Sequence, residues 1–174
     1  MQTLLAKLNW RILNILAFVS TVCLMLGALF YFQMYLNLPP CNLCVIQRVI
    51  TMAVGLFFLL LALINPKGIW HRLLAGLGAA VAYAGAGIAI YHVWLQGLPP
   101  EKVPECGPNI GYMMDTFGAW EGLMAVFASP GDCAEIHWSF LTLSIPGWVA
   151  VWLMAYAIFL TLQVVWPRWP FKAK

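Results

Sequence analysis

No charged side chain lies between Arg11 and Arg48, and three further gaps follow: Arg48 to Lys67, Arg72 to Glu101 and Glu135 to Arg168. Each gap encloses one apolar run of helix length, near 12–33, 45–64, 73–95 and 145–166. A helix needs about 20 such residues to cross the hydrocarbon of a bilayer. The runs do not alternate apolar with polar residues, as the strands of a membrane barrel would. Lipid offers backbone amides no partner, so a helix, which satisfies its own, is the expected form. The pattern predicts an all-α membrane protein. It is a four-transmembrane-helix bundle forming a single integral domain over 1–174, with connections near 34–44 and 96–144 on one side.

Composition agrees with this pattern. The chain is 63% hydrophobic and 9% charged, where a soluble domain carries about 25% charged residues. The net charge of +3 is small and scattered, which argues against nucleic acid as a partner. Lys7 and Arg11 resemble the start of a signal peptide. The run that follows is too long and lacks an A-x-A cleavage site, so an uncleaved first span is expected. Val22 stands where a lipoprotein site before Cys23 needs a small residue, and Cys23 reads as an apolar filler.

Charge also sets an orientation. All six acidic residues fall within 101–135, with Lys102 the one base among them. The remaining bases lie before the first span, between the second and third, after the fourth, and at Arg48. Positively charged connections stay cytoplasmic. Both termini are therefore expected inside, and the two loops 34–44 and 96–144 outside.

Within the second outer loop, Met113, Phe117, Trp120, Met124 and Phe127 recur at helical spacing. That predicts a short amphipathic helix lying on the membrane surface, in contact with lipid. Gly107-Pro108 and Pro130-Gly131 mark turns beside Cys106 and Cys133.

Four of five cysteines lie in the outer loops: Cys41, Cys44, Cys106 and Cys133. Thiols on an oxidising face are expected to pair. Four cysteines allow three pairings, and the count alone does not choose. Proximity favours Cys41 with Cys44, which leaves Cys106 with Cys133. In the stretch PPCNLCVIQR, the two prolines precede the second span. Cys44 falls near the N-terminus of that helix and Arg48 follows one turn later. The helix dipole and the guanidinium both favour a thiolate, the species that exchanges disulfides.

Arg48 sits at the outer edge, where burying its charge costs about 3 kcal/mol even on the lenient insertion scale. Snorkelling to a lipid phosphate is one use for such a residue. Beside a reactive thiol, support of negative charge on an oxidant's oxygen is another. A Cys-x-x-Cys dithiol must pass two electrons onward, and no dinucleotide-binding glycine motif is present. A membrane-dissolved quinone needs only an apolar pocket and a hydrogen-bond donor. Gln47 is a second candidate donor, and His92, beside Tyr91 and Trp94, is a candidate wall of the same pocket. His71 is expected to be solvated, and the cysteine spacing does not match a zinc site. Glycine and alanine crowd the third span, which permits close helix packing.

Taken together, PCNLCVIQR after a first span, two cysteines in a long outer loop, and SPGDCAEIHWSFLTLSIPGW entering the fourth span resemble the DsbB family of bacterial inner-membrane disulfide-forming enzymes. The resemblance runs over essentially the whole chain. It implies catalytic roles for Cys41, Cys44, Cys106 and Cys133. A reduced DsbA-like thioredoxin-fold oxidase would attack Cys106, with Cys133 as its partner thiol. Electrons would pass to Cys41 and Cys44, and from Cys44 to ubiquinone or menaquinone with Arg48 in support. Two other readings remain at this point: a vitamin K epoxide reductase-like thiol/quinone enzyme, and a non-enzymatic membrane scaffold with structural disulfides.

Overall fold

The computed structural model describes residues 9–38, 40–102 and 138–166. Between these it also describes Tyr112, Asp115, Thr116, Gly118, Trp120, Glu121, Met124, Cys133, Ala134 and Ile136. Four helices among the described residues are long and apolar enough to cross a membrane. They are α1 (Trp10–Leu26, continued by a π-helical segment Gly27–Tyr35), α2 (Asn42–Ile64), α3 (Ile69–Gln96) and α4 (Ile145–Val165). A two-stranded antiparallel hairpin, β1 (Ser139–Phe140) and β2 (Leu143–Ser144), leads into α4.

The helix ends follow local chemistry. Asn9 caps α1 by accepting from the Ile12 amide at 2.9 Å. Cys41 caps α2 with its sulfur, so that helix begins at Asn42, earlier than the charge gap implies. Asn65 closes α2 in the left-handed conformation, φ 44°, a backbone region asparagine tolerates better than most residues. Likewise α3 starts at Ile69 and takes in His71 and Arg72. His71 is therefore buried, 5% exposed, and not solvated as expected. Cys23 lies on the exposed side of α1 and fills no interior gap.

Sequential helices pack against one another, α1 on α2, α2 on α3, and most extensively α3 on α4. The core joins Val54 and Phe58 of α2, Ala75, Ala82 and Ala86 of α3, and Leu153, Ala157 and Leu160 of α4. Small residues on α3 bring its neighbours close. A Cβ added at Gly85 would stand 2.5 Å from Ile50 Cγ2 and 3.0 Å from Leu153 Cδ1. Phe58 meets Tyr156 edge-on at 5.3 Å between centroids. Opposite this core, Leu16, Val19, Met52, Leu56 and Leu77 are exposed. An apolar outer surface of this kind is what a bilayer solvates.

Among the described residues, buried side-chain polar atoms are paired, as low-dielectric surroundings require, with the exception of His71 Nε2. Asn14 and Gln163 exchange two amide hydrogen bonds, at 3.0 and 2.9 Å, and tie α1 to α4. The Ser20 and Tyr156 hydroxyls meet at 2.8 Å across the same interface.

Of the expected surface helix, Tyr112, Asp115, Thr116, Trp120, Glu121 and Met124 are helical and exposed. Met113, Phe117 and Phe127 lie outside the described residues. The hairpin was not foreseen. Its two central residues, Leu141 and Thr142, take φ of 49° and 68°, positions where glycine or asparagine is usual.

Candidate active site

The cysteine cluster forms where the first turn of α2 meets the last turns of α3. Cys41 accepts from the Cys44 amide at 3.4 Å, and its thiol donates to Cys44 Sγ at 2.9 Å. Cap and first-turn residue are thus held together by the start of the helix. On α3, the buried His92 places Nε2 at 3.8 Å from Cys41 Sγ. The Gln47 side chain donates from Nε2 to His92 Nδ1 at 3.0 Å, and His92 Nε2 donates to the Cys133 carbonyl at 3.0 Å. These two bonds select the neutral imidazole with its proton on Nε2.

Cys133 comes from the second loop yet is 1% exposed. It is seated among Leu43 of α2 and Leu95 of α3, with Cys41, Ile46 and Tyr91 against the same nest. The Cys41 and Cys133 sulfurs and His92 Nε2 all lie within 4.8 Å of one another. Cys41 and Cys44 are free thiols here. The hydrogen bond between Cys41 and Cys133 lowers the Cys41 pKa. The bond to Cys44, burial and negative charge on Cys44 outweigh it and push the Cys41 thiol up to about 12.

On the far side of Cys44, a cavity of about 330 Å³ opens between α1, α2 and α4. Cys44, Gln47, Arg48 and Thr51 form its α2 wall, Met25, Ala28 and Phe32 the wall from the first helix, and Trp148, Trp152 and Tyr156 the wall from α4. Trp138 and Phe140 of the hairpin region close the rim. Phe32 meets Trp138 edge-on at 5.0 Å, and Trp148 Nε1 donates to the Phe140 carbonyl at 3.1 Å. Arg48 is fixed rather than splayed: Nη1 donates to Gln33 Oε1 at 2.9 Å and Nη2 to the Ala28 carbonyl at 3.4 Å. Both acceptors belong to the π-helical segment, whose wider turn differs from that of the rest of the span. Such segments recur at functional sites. The volume and the apolar lining with few polar atoms fit a small ring-shaped ligand.

A profile of the family described as "Disulfide bond formation protein DsbB" matches residues 10–163. The chain belongs to the DsbB family. It is 44% identical over 149 residues to "Disulfide bond formation protein B" of Methylococcus capsulatus, covering 86% of this chain and 90% of that one. The protein of the same name from Nitrosococcus oceani is 49% identical over 128 residues, covering 74% and 76%. That of Psychrobacter arcticus is 41% identical over 159 residues, covering 91% and 90%. Membership and the four apolar helices together make this a multi-pass membrane protein of the disulfide-formation class.

Within this DsbB-family chain, the fold gathers Cys41, Cys44, Gln47, His92 and Cys133 into one cluster and sets Arg48 on the adjoining cavity. Cys106 lies outside the described residues. His92 does not stand among the residues lining the cavity; it faces the cysteines instead. Gln47 does both, since it lines the cavity and holds His92. Gln33, Trp138, Trp148 and Trp152 were not singled out from sequence. The density of aromatic residues on either side of Ser144 was the signal available for the three tryptophans.

Proposed function

We propose that this protein is a thiol:quinone oxidoreductase of the bacterial inner membrane. It reoxidises a periplasmic DsbA-like thioredoxin-fold oxidase and passes the electrons to ubiquinone or menaquinone. The supporting observation is the position of Cys44, whose neighbours on one side are Cys41 and the second-loop thiol and on the other the aromatic cavity with Arg48. A dithiol relay has sulfur on one face of that residue and an electron acceptor on the other.

The cavity's own residues fit a quinone: flat aromatic walls for the ring, and Arg48 as a cationic donor for a carbonyl oxygen. Arg48 and Gln47 would hold the head group, and Trp148 and Trp152 would line the apolar space for its ring. When bound, a quinone supplies a two-electron, two-proton acceptor.

The thiol steps run as follows. Attack on Cys106 by the partner's thiolate forms a mixed disulfide, breaks the Cys106–Cys133 bond and releases Cys133 as the thiolate; the partner's second thiol then resolves that mixed disulfide, leaving the partner oxidised and Cys106 a thiol. Cys133 then attacks Cys41; a Cys41–Cys133 bond forms, the Cys41–Cys44 bond breaks, and Cys44 leaves as the thiolate. That sulfur lines the same cavity as Arg48. His92, neutral and 3.8 Å from Cys41 Sγ, keeps Cys41 and Cys133 in register. The single domain spans the membrane four times with both termini cytoplasmic, and the cysteine-bearing end faces the periplasm.

A photoreactive quinone analogue tests the binding half of this reading. Labelling is expected at Trp148 and Trp152, located by fragment sequencing within the one tryptic peptide 103–168, and should be competed by ubiquinone. Labelling spread over the outer faces of α1 and α3, without competition, would count against it.

A further inference from the structure

We propose that in its dithiol form the protein binds one zinc ion through Cys41 Sγ, Cys133 Sγ and His92 Nε2. Chain spacing gave no hint of this, since His92 is 51 positions from Cys41. The fold nevertheless brings one nitrogen and two sulfurs within 4.8 Å of one another. Zinc bonds of about 2.3 Å to sulfur and 2.0 Å to nitrogen put tetrahedral ligand atoms roughly 3.5–3.8 Å apart. The Cys41–His92 separation of 3.8 Å is within about 0.3 Å of the sulfur–nitrogen figure. The Cys133 sulfur, within 4.8 Å of both other atoms, must close by no more than about 1.3 Å.

Charge favours the ion. Two thiolates and one divalent cation sum to zero, so the buried centre stays neutral when the ion replaces the two thiol protons. Both thiol protons leave on binding. His92 gives up its Nε2 hydrogen bond to the Cys133 carbonyl and shifts that proton to Nδ1, which then donates to the Gln47 amide oxygen once that amide turns over. The result is a metal-bound imidazole held by an outer hydrogen bond, the usual arrangement at zinc sites. The fourth position is left for water, with Cys44 beside it. Pairing Cys41 with Cys44 removes a ligand, so only the reduced protein takes the ion. On the reaction proposed above, zinc would engage the two sulfurs between which exchange passes and would inhibit it; the binding test does not depend on that.

Quinone-free protein, reduced and kept anaerobic, is titrated with Co²⁺ and then with Zn²⁺. One equivalent of Co²⁺ should bind, with thiolate-to-cobalt charge-transfer bands and tetrahedral d–d absorption, and Zn²⁺ should abolish both. Calorimetry in buffers of different ionisation enthalpy should report two protons released. The oxidised protein should bind none. Cys133→Ser and His92→Gln should each lose the signal, Gln47→Ala should weaken affinity about 10–100-fold, and Cys23→Ser should change nothing. Absence of binding in the reduced protein, or an unchanged cobalt spectrum in either Cys133→Ser or His92→Gln, overturns the proposal. If Cys133→Ser fails to fold, His92→Gln with the oxidised protein decides.

Discussion

Arg48 reaches back to the first helix, where its Nη1 donates to Gln33 Oε1 at 2.9 Å. That bond holds the guanidinium on the cavity wall one turn from Cys44, instead of leaving it to extend toward lipid phosphate. A hydrogen bond to a charged group is worth about 1.5–3 kcal/mol. Arg48→Ala is therefore expected to lower kcat/KM for quinone by about 10–150-fold, measured by steady-state quinone absorbance. Arg48→Lys should recover part of the loss. Unchanged kinetics in Arg48→Ala would return the residue to a lipid anchor.

Contact between Cys41 and Cys133 predicts a trappable bond. With Cys44→Ser, Cys41 loses its neighbour in α2 and the second-loop sulfur within 4.8 Å becomes its nearest partner. Non-reducing peptide mapping of that variant should find Cys41 linked to Cys133. Finding Cys41 joined only to Cys106 would mean that the loop does not seat as described.

The Asn14–Gln163 pair predicts a stability effect remote from the chemistry. Interhelical hydrogen bonds in membrane proteins average about 0.6 kcal/mol and reach about 1.7. A double-mutant cycle with Asn14→Leu and Gln163→Leu, read by unfolding in mixed micelles, should return a coupling in that range. Each single variant should be the more harmful form, because it strands a buried amide.

Close packing at α3 gives a paired test. Gly85→Ala places a methyl against the β-branched Ile50, which has little freedom to move. Overpacking of this kind costs about 1–3 kcal/mol. Gly87 has no atom within 4 Å of an added Cβ, so Gly87→Ala should leave the midpoint unchanged or raise it slightly.

The spans were legible because charge is excluded from hydrocarbon, and four gaps in charge mark them directly. Their ends were less so. Cys41 acts as a cap through sulfur, which pattern reading does not anticipate, and Arg72 sits inside a helix at its end. The π-helical stretch leaves no trace in composition. Nor does the hairpin, since Leu141-Thr142 is the opposite of what a tight turn asks for.

At the site, Cys41, Cys44 and Arg48 stood out because they are neighbours along one helix. The approach of His92 and Cys133 was hidden by distance along the chain. In retrospect His92 shares the buried face of α3 with Ala89 and Leu95, a placement that called for a partner. Gln33 became meaningful only once Arg48 was seen to lean on it.

On the proposed reaction, electrons from a thiol partner leave through Cys44 into the aromatic cavity. The most direct measurement mixes purified protein, a reduced thioredoxin-fold oxidase and ubiquinone under argon, and follows quinone absorbance. The account predicts one quinone reduced for each partner dithiol oxidised, and no reduction with Cys44→Ser. Equal quinone reduction by Cys44→Ser, or none by the unaltered protein with any membrane quinone, would contradict it.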